Sequence, residues 1–383
     1  MSASRSPQLS YWERNQYFQD LDVLIVGAGI VGLNAALHLH DRWPQLRIAI
    51  WERGPLPAGA SSRNAGFACF GSVTELLDDL QRHSEEEVLQ LLERRWRGLL
   101  RLRQILGDQI LDYREWGGYE IFRPGEEESY RACCDQLASL NRQIAPIVGQ
   151  RAVYQRADER IADFGFAGVQ HLIVNRAEGQ IDTGAMMRGL IELVRSRGIA
   201  LLNGLGLSHW EREGSAWRAV ADNGWELRTQ KLLLATNGFA PQLIPELELA
   251  PARNQVLITD PIPGLPVKGC FHYDRGYFYF RNIHSRLLLG GGRHLARSAE
   301  QTDAFGTSSL VREALLRLLR EVILPDREVG IAQWWSGILG LGEQKLPIVR
   351  ELAPGLVVAV RLGGMGVAIG SLVGQEAADL IAP

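Results

Sequence analysis

The chain has 383 residues, of which 46% are hydrophobic and 22% charged, and its formal net charge is -3. A chain of this length buries a sizeable core, and we expect two domains. The slightly acidic balance argues against a nucleic-acid-binding protein, whose binding face needs an excess of cations. Polar residues follow Met1 and no apolar run is long enough to cross a bilayer. We therefore predict a cytoplasmic protein without a membrane span.

The cysteines and histidines do not indicate a metal site or a redox dithiol. The four cysteines are Cys69, Cys133, Cys134 and Cys270. None of them has the C-x-x-C spacing of such sites, and the adjacent pair falls in a helical pattern, which favours core positions. The histidines of interest are His38, His40, His171 and His272. Because their spacing suggests no shared chemistry, we interpret them as structural and predict no metal.

The first predicted βαβ unit carries a dinucleotide-binding motif. Residues 22–26 form a short apolar run typical of a buried parallel strand, and G-A-G-I-V-G at 27–32 then opens a helical pattern. A second apolar run at 48–51 leads to Glu52, twenty residues beyond Gly32. At this spacing an acidic side chain accepts hydrogen bonds from a ribose hydroxyl. The alternative, a coincidental glycine turn, accounts for neither the flanking strand and helix nor the acid.

Each glycine of the motif has a mechanical role in such a unit. Gly27 permits the tight turn, Gly29 lets the backbone approach a pyrophosphate, and Gly32 lets helix and strand pack closely. The free N–H groups at the start of the helix, around Ile30 and Val31, hold the anion.

The rest of the chain alternates helical and strand patterns. The N-terminal arm, 1–19, is polar with interspersed aromatics, and 54–71 is a loop of small residues. A capping box of Ser84 and Glu87 begins a long helix that ends before Gly107. Further helices are predicted at 126–144, 183–197, 310–322 and 372–381. Strands are predicted at 119–123, 171–174, 199–202, 217–221, 231–235 and 356–360, with an antiparallel sheet at 255–259, 276–282 and 286–290.

The C-terminal strand, glycine turn and helix indicate that the first domain is discontinuous. The glycines at 363–366 open a second helix N-terminus, another place where backbone amides can meet a flat or anionic ligand. A nicotinamide enzyme needs one such site per nucleotide-binding domain. A chain that returns at its far end to provide another fits a cofactor held along its whole length.

These motifs resemble the FAD-dependent oxidoreductases of the D-amino-acid oxidase and glycine oxidase family, which includes sarcosine oxidases and γ-glutamylputrescine oxidoreductase. The resemblance covers nearly the whole chain in family order. The matching segments are 27–32, 52–53, 60–66, 179–182, 235–238, 253–256, 335–337 and 363–366.

The resemblance implies an α/β fold, α+β overall, in which a Rossmann-type FAD domain carries a substrate domain built on a mainly antiparallel sheet. The FAD-binding domain is predicted at 20–75, 150–240 and 335–383, and the substrate domain at 76–149 and 241–334. From motif and resemblance together, the cofactor-binding residues are Gly27, Gly29, Ile30, Val31, Gly32, Glu52, Arg53, Ser61, Ser62, Arg63, Asn64, Gly66, Thr236, Gly238, Gly364, Met365, Gly366 and Val367. Cysteine and histidine positions match no covalent flavin attachment, so we expect FAD to bind noncovalently.

The chemistry implied by the resemblance is oxidation of a C–H bond beside nitrogen, with hydride transfer to flavin N5 and hydrolysis of the imine. The partners are a small amine or amino acid and an electron acceptor, either oxygen or another compound. Sarcosine oxidases use a lysine in the strand that here reads Leu287, Leu288 and Leu289, which favours a dehydrogenase or a slow oxidase.

The substrate side departs from the family pattern. Glycine and D-amino-acid oxidases bind the substrate carboxylate with an arginine shortly after the W-x-G motif, but Ile338 and Leu339 follow Gly337 here. Either the substrate lacks an adjacent carboxylate or another cation binds it. Arg293 and His294 are one candidate pair, although a loop-surface position is the alternative.

Strand alternation places Tyr277, Tyr279 and Arg281 on one face, and we predict that this face lines the pocket together with Phe67. The alternative is that the aromatics belong to the sheet core and Arg281 to the surface. Trp335 fits either pocket or core. Three functions remain: an FAD-dependent amine or amino-acid oxidase or dehydrogenase, an FAD-dependent 2-hydroxy-acid dehydrogenase, and an NAD-binding Rossmann protein.

Overall fold

The structure is a computed structural model, and it describes residues 9–383. Residues 1–8 of the predicted N-terminal arm lie outside the described residues. The strands are β1 Leu21–Val26, β2 Ile48–Glu52, β3 Phe67–Ala68, β4 Gly118–Phe122, β5 Tyr154–Arg156, β6 His171–Asn175, β7 Gly179–Gln180, β8 Ala200–Asn203, β9 Leu207–Glu213, β10 Ala216–Ala221, β11 Glu226–Leu234, β12 Ala250–Thr259, β13 Cys270–Tyr273, β14 Phe278–Ile283, β15 Arg286–Gly291, β16 Ile331–Leu341, β17 Ile348–Ala353 and β18 Leu356–Val360.

Helices and short helical turns connect the strands of the two sheets. The α-helices are α1 Tyr11–Glu13, α2 Ile30–Arg42, α3 Ala60–Arg63, α4 Val73–Leu80, α5 Glu85–Leu106, α6 Asp108–Leu111, α7 Glu127–Val148, α8 Ile161–Phe164, α9 Thr183–Ser196, α10 Arg297–Glu300, α11 Ser309–Leu318 and α12 Gly366–Ile381. Short π-helical turns occur at Arg14–Phe18 and Leu319–Ile323, and 3-10 turns at Asp158–Arg160, Asn237–Gln242 and Arg293–Ala296. Within the described part of the chain, no helix combines the length and apolar character that a membrane crossing requires.

The first sheet has the order β17-β18-β11-β1-β2-β8, with the hairpin of β9 and β10 joined to β11. β1 pairs in parallel with both β2 and β11, and β11 pairs in parallel with β18. The β1 and β18 runs are apolar because both faces of the sheet are covered, as parallel sheets require. This is the predicted Rossmann-type layer, and it places β1 and β18 on the two sides of β11.

The second sheet has the order β16-β12-β15-β14-β13-β4-β6-β5. Its pairs are antiparallel apart from the parallel contact of β13 with β4. The two faces differ, as expected of strands with alternating side chains. One face packs under α11 around Phe271, Phe280 and Leu289, and the other faces the first domain. The predicted combination of a Rossmann-type layer with a mainly antiparallel sheet is confirmed.

The sheet pairing differs from the predicted domain boundaries in two places. β5 and β6 lie inside the range 150–240, but they pair at the edge of the second sheet. The start of the range 335–383, residues 335–341, likewise lies in β16, which pairs along β12. Strand pattern alone does not reveal which neighbour a strand selects, because pairing depends on distant partners.

The long helix α5 also belongs with the first domain, although 76–149 was predicted as substrate domain. It packs against α12, where Gly98 lies against the backbone of Ala368 and Ile369 and the Ser371 hydroxyl donates to the Gly98 carbonyl. The capping box of Ser84 and Glu87 is present as predicted, and the helix ends before Gly107.

Several predicted element boundaries were wrong. The loop predicted at 54–71 contains α3 and β3, because a single turn and a two-residue strand are too short to produce a periodic pattern. The last helix begins at Gly366 rather than residue 372. Its internal Gly370 and Gly374 obscured the pattern, yet they are needed because a Cβ there would lie 2.6 Å from Ile30 and 2.7 Å from the Val31 carbonyl.

The described part of the N-terminal arm lies only partly against the first domain. Phe18 is buried with its ring 5.0 Å from that of Trp225. Tyr11 and Trp12 are 70% and 76% exposed, so they do not contribute to the core.

Candidate active site

A cleft lies where the carboxyl ends of β1, β2, β11 and β18 meet the N-terminal ends of α2 and α12. This is the expected ligand position in an open parallel sheet, because strand ends and helix starts converge there. Most of the predicted cofactor-binding residues line it. They are Gly27, Gly29, Ile30, Val31, Glu52, Arg53, Ser61, Asn64, Thr236, Gly238, Gly364, Gly366 and Val367.

The N-terminus of α2 forms the first wall of the cleft. Gly27 has a φ of +107°, and a Cβ there would lie 2.7 Å from the Ala235 carbonyl, so the turn requires glycine. Gly29 caps the helix without a side-chain hydrogen bond, while the Ile30 amide donates to the Ser61 hydroxyl at 2.9 Å. Gly32 lies against the backbone of Gly27, as its predicted packing role requires. The helix start therefore presents backbone amides to the cleft.

Glu52 lies at the end of β2, where the cleft continues towards β11. Its side chain is only 7% exposed, and its two oxygens accept hydrogen bonds from the amides of Ala28 and Gly54, each at 3.1 Å. These amides hold the carboxylate in place while it retains acceptor capacity for a ligand hydroxyl. Arg53 is exposed, and its guanidinium carbon lies 3.6 Å from the centroid of the Phe239 ring.

A second helix start faces the same cleft. Gly363 and Gly364 have φ values of +59° and +85°, which bend the chain from β18 into α12. Met365 is the N-cap and provides no side-chain cap for the first amides of the helix. The cleft therefore lies between two helix N-termini, each with amides and partial positive charge directed towards it.

The middle of the chain supplies the residues between these helices. Thr236 lines the cleft, and its hydroxyl is buried without a hydrogen-bond partner among the described residues. Gly238 lies so close to β16 that a Cβ would be 2.6 Å from the Leu339 carbonyl. Ile338 and Leu339 give the cleft an apolar wall.

The remaining predicted cofactor residues shape the loop rather than the cleft lining. Ser62 is exposed and donates to the Pro57 carbonyl, and Arg63 donates to the Ser336 carbonyl at 3.0 Å. Asn64 accepts from the Gly66 amide at 2.8 Å, and Gly66 has a φ of +71°. Met365 serves as the helix cap.

The predicted substrate face is only partly assembled. β14 begins at Phe278, so Tyr277 lies in the preceding turn, outside the alternation that was expected to include it. Its hydroxyl accepts from Arg297 at 3.0 Å. Arg281 is buried, not on the surface, and it donates to the carbonyls of Ala65 and Ile181. Its guanidinium therefore joins the flavin loop to β14 and leaves little capacity for a ligand.

Tyr279 and Phe67 do come together, with their ring centroids 5.5 Å apart. They pack against a small apolar cluster of Ala65, Val256 and Leu288 between the loop and the sheet. Burial raises the pKa of Tyr279, so its hydroxyl stays protonated. Trp335 packs against the same cluster and donates through Nε1 to the Arg63 carbonyl at 3.0 Å.

Two polar residues beside this cluster complete the candidate substrate side. Asn254 donates through Nδ2 to the Tyr279 hydroxyl at 3.0 Å, and its buried Oδ1 has no partner among the described residues. Arg293 follows β15, is half-buried, and has no carboxylate within 4 Å in the described part of the chain. Burial lowers its pKa. In the sequence, Asn254 was identified only as part of the motif at 253–256. Its alternation with Val256 on β12 also predicts that the two side chains lie on the same face of the sheet.

The polar groups of the cleft fit FAD. One helix start suits a pyrophosphate, the other suits the polar edge of a flavin ring, and Glu52 suits a ribose hydroxyl. A ligand bound in the cleft would also give the buried Thr236 hydroxyl a hydrogen-bond partner.

Comparisons with known proteins agree with this geometry. Residues 22–380 match the family model described as DAO, FAD dependent oxidoreductase. The chain is 25% identical to the probable oxidoreductase OrdL of Rhizobium meliloti, over 94% of this chain and 82% of the relative. It is 24% identical to the glycine oxidase of Geobacillus kaustophilus, over 94% and 92% of the two chains.

Solved structures share the fold. The crystal structure of glycine oxidase from Geobacillus kaustophilus superposes with a TM-score of 0.74 at 21% identity and covers 94% of each chain. The crystal structure of L-proline dehydrogenase from P. horikoshii also gives a TM-score of 0.74, at 16% identity. The superposition covers 94% of this chain and 93% of that one. The chain therefore belongs to the DAO family of FAD-dependent oxidoreductases, and FAD is its cofactor.

Proposed function

We propose that this enzyme oxidises the C–N bond of a small amine or amino acid. The observation that carries the proposal is the composition of the candidate substrate side. An apolar cluster adjoins the flavin loop, and next to it lie one unpartnered amide oxygen, of Asn254, and one half-buried guanidinium without a carboxylate partner, of Arg293. Glycine oxidase and L-proline dehydrogenase, which share the fold, are named for amine-bearing substrates.

The side chains of this region have separate tasks in the proposed reaction. Phe67, Val256 and Leu288 exclude water from the reacting carbon, because they form a continuous apolar surface. The Asn254 amide oxygen accepts a hydrogen bond from the substrate N–H and so fixes the orientation of the C–N bond. Tyr279 holds the Asn254 side chain in that orientation through its hydroxyl.

Bound FAD supplies the two-electron acceptor for the hydride that leaves the substrate carbon. The α-helix starts at Gly29 and Met365 and the carboxylate of Glu52 would hold the cofactor at its pyrophosphate, ring and ribose. The substrate nitrogen loses a proton, and the imine product reacts with water to give a carbonyl compound and an amine or ammonia. We also propose that FAD binds noncovalently and that oxygen or another acceptor takes up the electrons.

The test is anaerobic reduction of the purified holoenzyme by a panel of amines, amino acids and 2-hydroxy acids. We expect loss of the flavin absorption near about 450 nm with at least one amine or amino acid. Reduction by 2-hydroxy acids alone would overturn the proposal in favour of the alternative dehydrogenase. Readmission of air then separates the two acceptors, since only an oxidase recovers its absorption at once.

A further inference from the structure

Three potential metal ligands meet below the substrate side, outside the FAD cleft. Cys69 follows β3, Glu178 precedes β7, and His272 lies in β13, so three separate parts of the chain contribute. Cys69 and Glu178 are 2% and 1% exposed, and His272 is partly buried. One ligand atom from each, a sulfur, a carboxylate oxygen and an imidazole nitrogen, lies within 4.8 Å of the other two.

Hydrogen bonding does not account for the position of His272. Its Nε2 atom is buried and has no partner among the described residues, although the thiol and the carboxylate are close by. Unpartnered buried polar atoms are rare in proteins, and each one needs an explanation. Ligands of one tetrahedral zinc ion, at bond lengths of about 2.0 to 2.3 Å, lie roughly 3 to 4 Å apart. The three ligand atoms, all within 4.8 Å of one another, are close enough together for small shifts to place them around one ion.

The surroundings of Glu178 resemble the outer shell of a metal site. Its Oε1 atom accepts from the amides of Phe70 at 2.7 Å and Gly71 at 3.0 Å, which fixes the orientation of the carboxylate. Hydrogen bonds of this kind orient ligands at metal sites. Cys270 lies beside Cys69, since both thiols are directed at the Gly179 carbonyl.

The donor atoms at this position suit a divalent cation. Metal binding releases the thiol proton, and the ion then compensates the charges of the thiolate and the carboxylate. One thiolate, one imidazole and one carboxylate form a donor set suited to zinc.

We propose that Cys69, Glu178 and His272 form a Zn²⁺ site that ties the flavin loop to the second sheet. The His272 ring lies 5.2 Å from the Phe67 ring, so the ion would also fix one wall of the substrate side. The proposal departs from the sequence-based prediction that the chain binds no metal, which rested on spacing motifs, because these three ligands are distant in sequence.

The first measurement is the metal content of the purified holoenzyme after incubation with ZnCl₂ and desalting. We expect about one zinc per chain, and a Zn-edge X-ray absorption spectrum with one sulfur at about 2.3 Å and nitrogen or oxygen at about 2.0 Å. The spectrum uses the unmodified protein and does not depend on the folding of any variant. A zinc-free protein, or a spectrum without sulfur, overturns the proposal.

The second measurement compares variants that retain the flavin absorption of the folded holoenzyme. Cys69→Ser and His272→Gln are each expected to lower the zinc content at least tenfold. Cys134 lies on α7 and His40 on α2, so neither belongs to the proposed site. Cys134→Ser and His40→Gln therefore serve as matched controls and should bind zinc like the wild type. Equal zinc content in all four variants would identify an adventitious surface ion and would contradict the site.

Discussion

Two arginines near the candidate substrate side differ in how their guanidinium groups are used. Arg281 is buried and donates to the backbone carbonyls of Ala65 and Ile181, so its role is structural. Arg293 is half-buried and lacks a carboxylate partner in the described part of the chain. A desolvated cation without a partner favours an anionic ligand group. The sequence alone did not separate these arginines, because the bonds of Arg281 come from residues far away in the chain.

Arg293→Met is expected to weaken binding of substrates and inhibitors that carry a carboxylate. A hydrogen bond to a charged group contributes about 1.5 to 3 kcal/mol, which corresponds to a loss of roughly 10- to 100-fold in affinity. Flavin absorbance changes on titration with benzoate report this affinity without turnover. Arg297→Met, exposed and four residues further on, is the control. Unchanged benzoate affinity in Arg293→Met would contradict the assignment even if amines still reduce the flavin.

Glu120 should make stability depend on pH. Burial raises the pKa of its carboxyl group to about 7. The hydrogen bonds from Thr74 lower the pKa but do not offset the effect of burial. The folded state therefore binds more protons than the unfolded state between the ordinary glutamate pKa of 4.5 and about 7. This stabilising contribution is complete below 4.5 and is lost as the pH rises through about 7.

Urea unfolding at pH 5 and pH 8 tests this dependence. We expect the free energy of unfolding of the wild type to fall between these values by on the order of 3 kcal/mol. Glu120→Gln carries no charge at either pH and should show a smaller fall. Glu321→Gln, on the exposed side of its helical turn, should behave like the wild type. An equal fall in wild type and Glu120→Gln would show that other groups are responsible.

At the scale of elements, the packing of α12 on α2 determines the shape of the cleft. Gly374 of α12 lies against α2. A Cβ added to it would be 2.7 Å from the Val31 carbonyl oxygen and 2.8 Å from the Asn34 Cβ. Because backbone cannot yield as a flexible side chain does, an added methyl must separate the two helices. Both helix starts face the cofactor, so their separation changes the site as well as the core.

Gly374→Ala is therefore expected to lower stability by roughly 1 to 3 kcal/mol and to weaken FAD affinity. Quenching of flavin fluorescence on titration of the apoprotein measures the affinity, and urea unfolding measures the stability. Gly184→Ala on α9 is the control, since its added methyl lies 3.3 Å only from the Asp182 side chain. A Gly374→Ala protein with wild-type affinity and stability would show that the helices can move apart without consequence.

Elements with a strong local pattern were predictable, and those defined by distant partners were not. The βαβ unit with Glu52, the capping box at Ser84 and the strand Leu356–Val360 follow from residues close together in sequence. The range 150–240 was predicted to belong to the FAD-binding domain, yet its strands β5 and β6 pair in the second sheet, because nothing within them specifies their neighbour. The same reason explains why the cluster of Cys69, Glu178 and His272 was not foreseen.

At the scale of the whole molecule, the first and the last described strands, β1 and β18, belong to one sheet. β1 and β18 both pair with β11, and the helices that follow them, α2 and α12, start at the same cleft. The middle of the chain supplies the second sheet, which covers the cleft on the substrate side. We therefore expect one extended cofactor to contact Glu52 at one end and the amides before Val367 at the other.

The most direct measurement of this claim is titration of the apoprotein with FAD, FMN and NAD. FMN lacks the adenosine half, so it loses the hydrogen bonds at Glu52 and at the start of α2. Each of these two sets of contacts contributes about 0.5 to 1.5 kcal/mol or more. We therefore expect one FAD to bind per chain and FMN to bind roughly 5- to 150-fold more weakly. NAD should not compete with FAD. FMN binding as tightly as FAD, or displacement of FAD by NAD, would contradict a single FAD held from both ends of the chain.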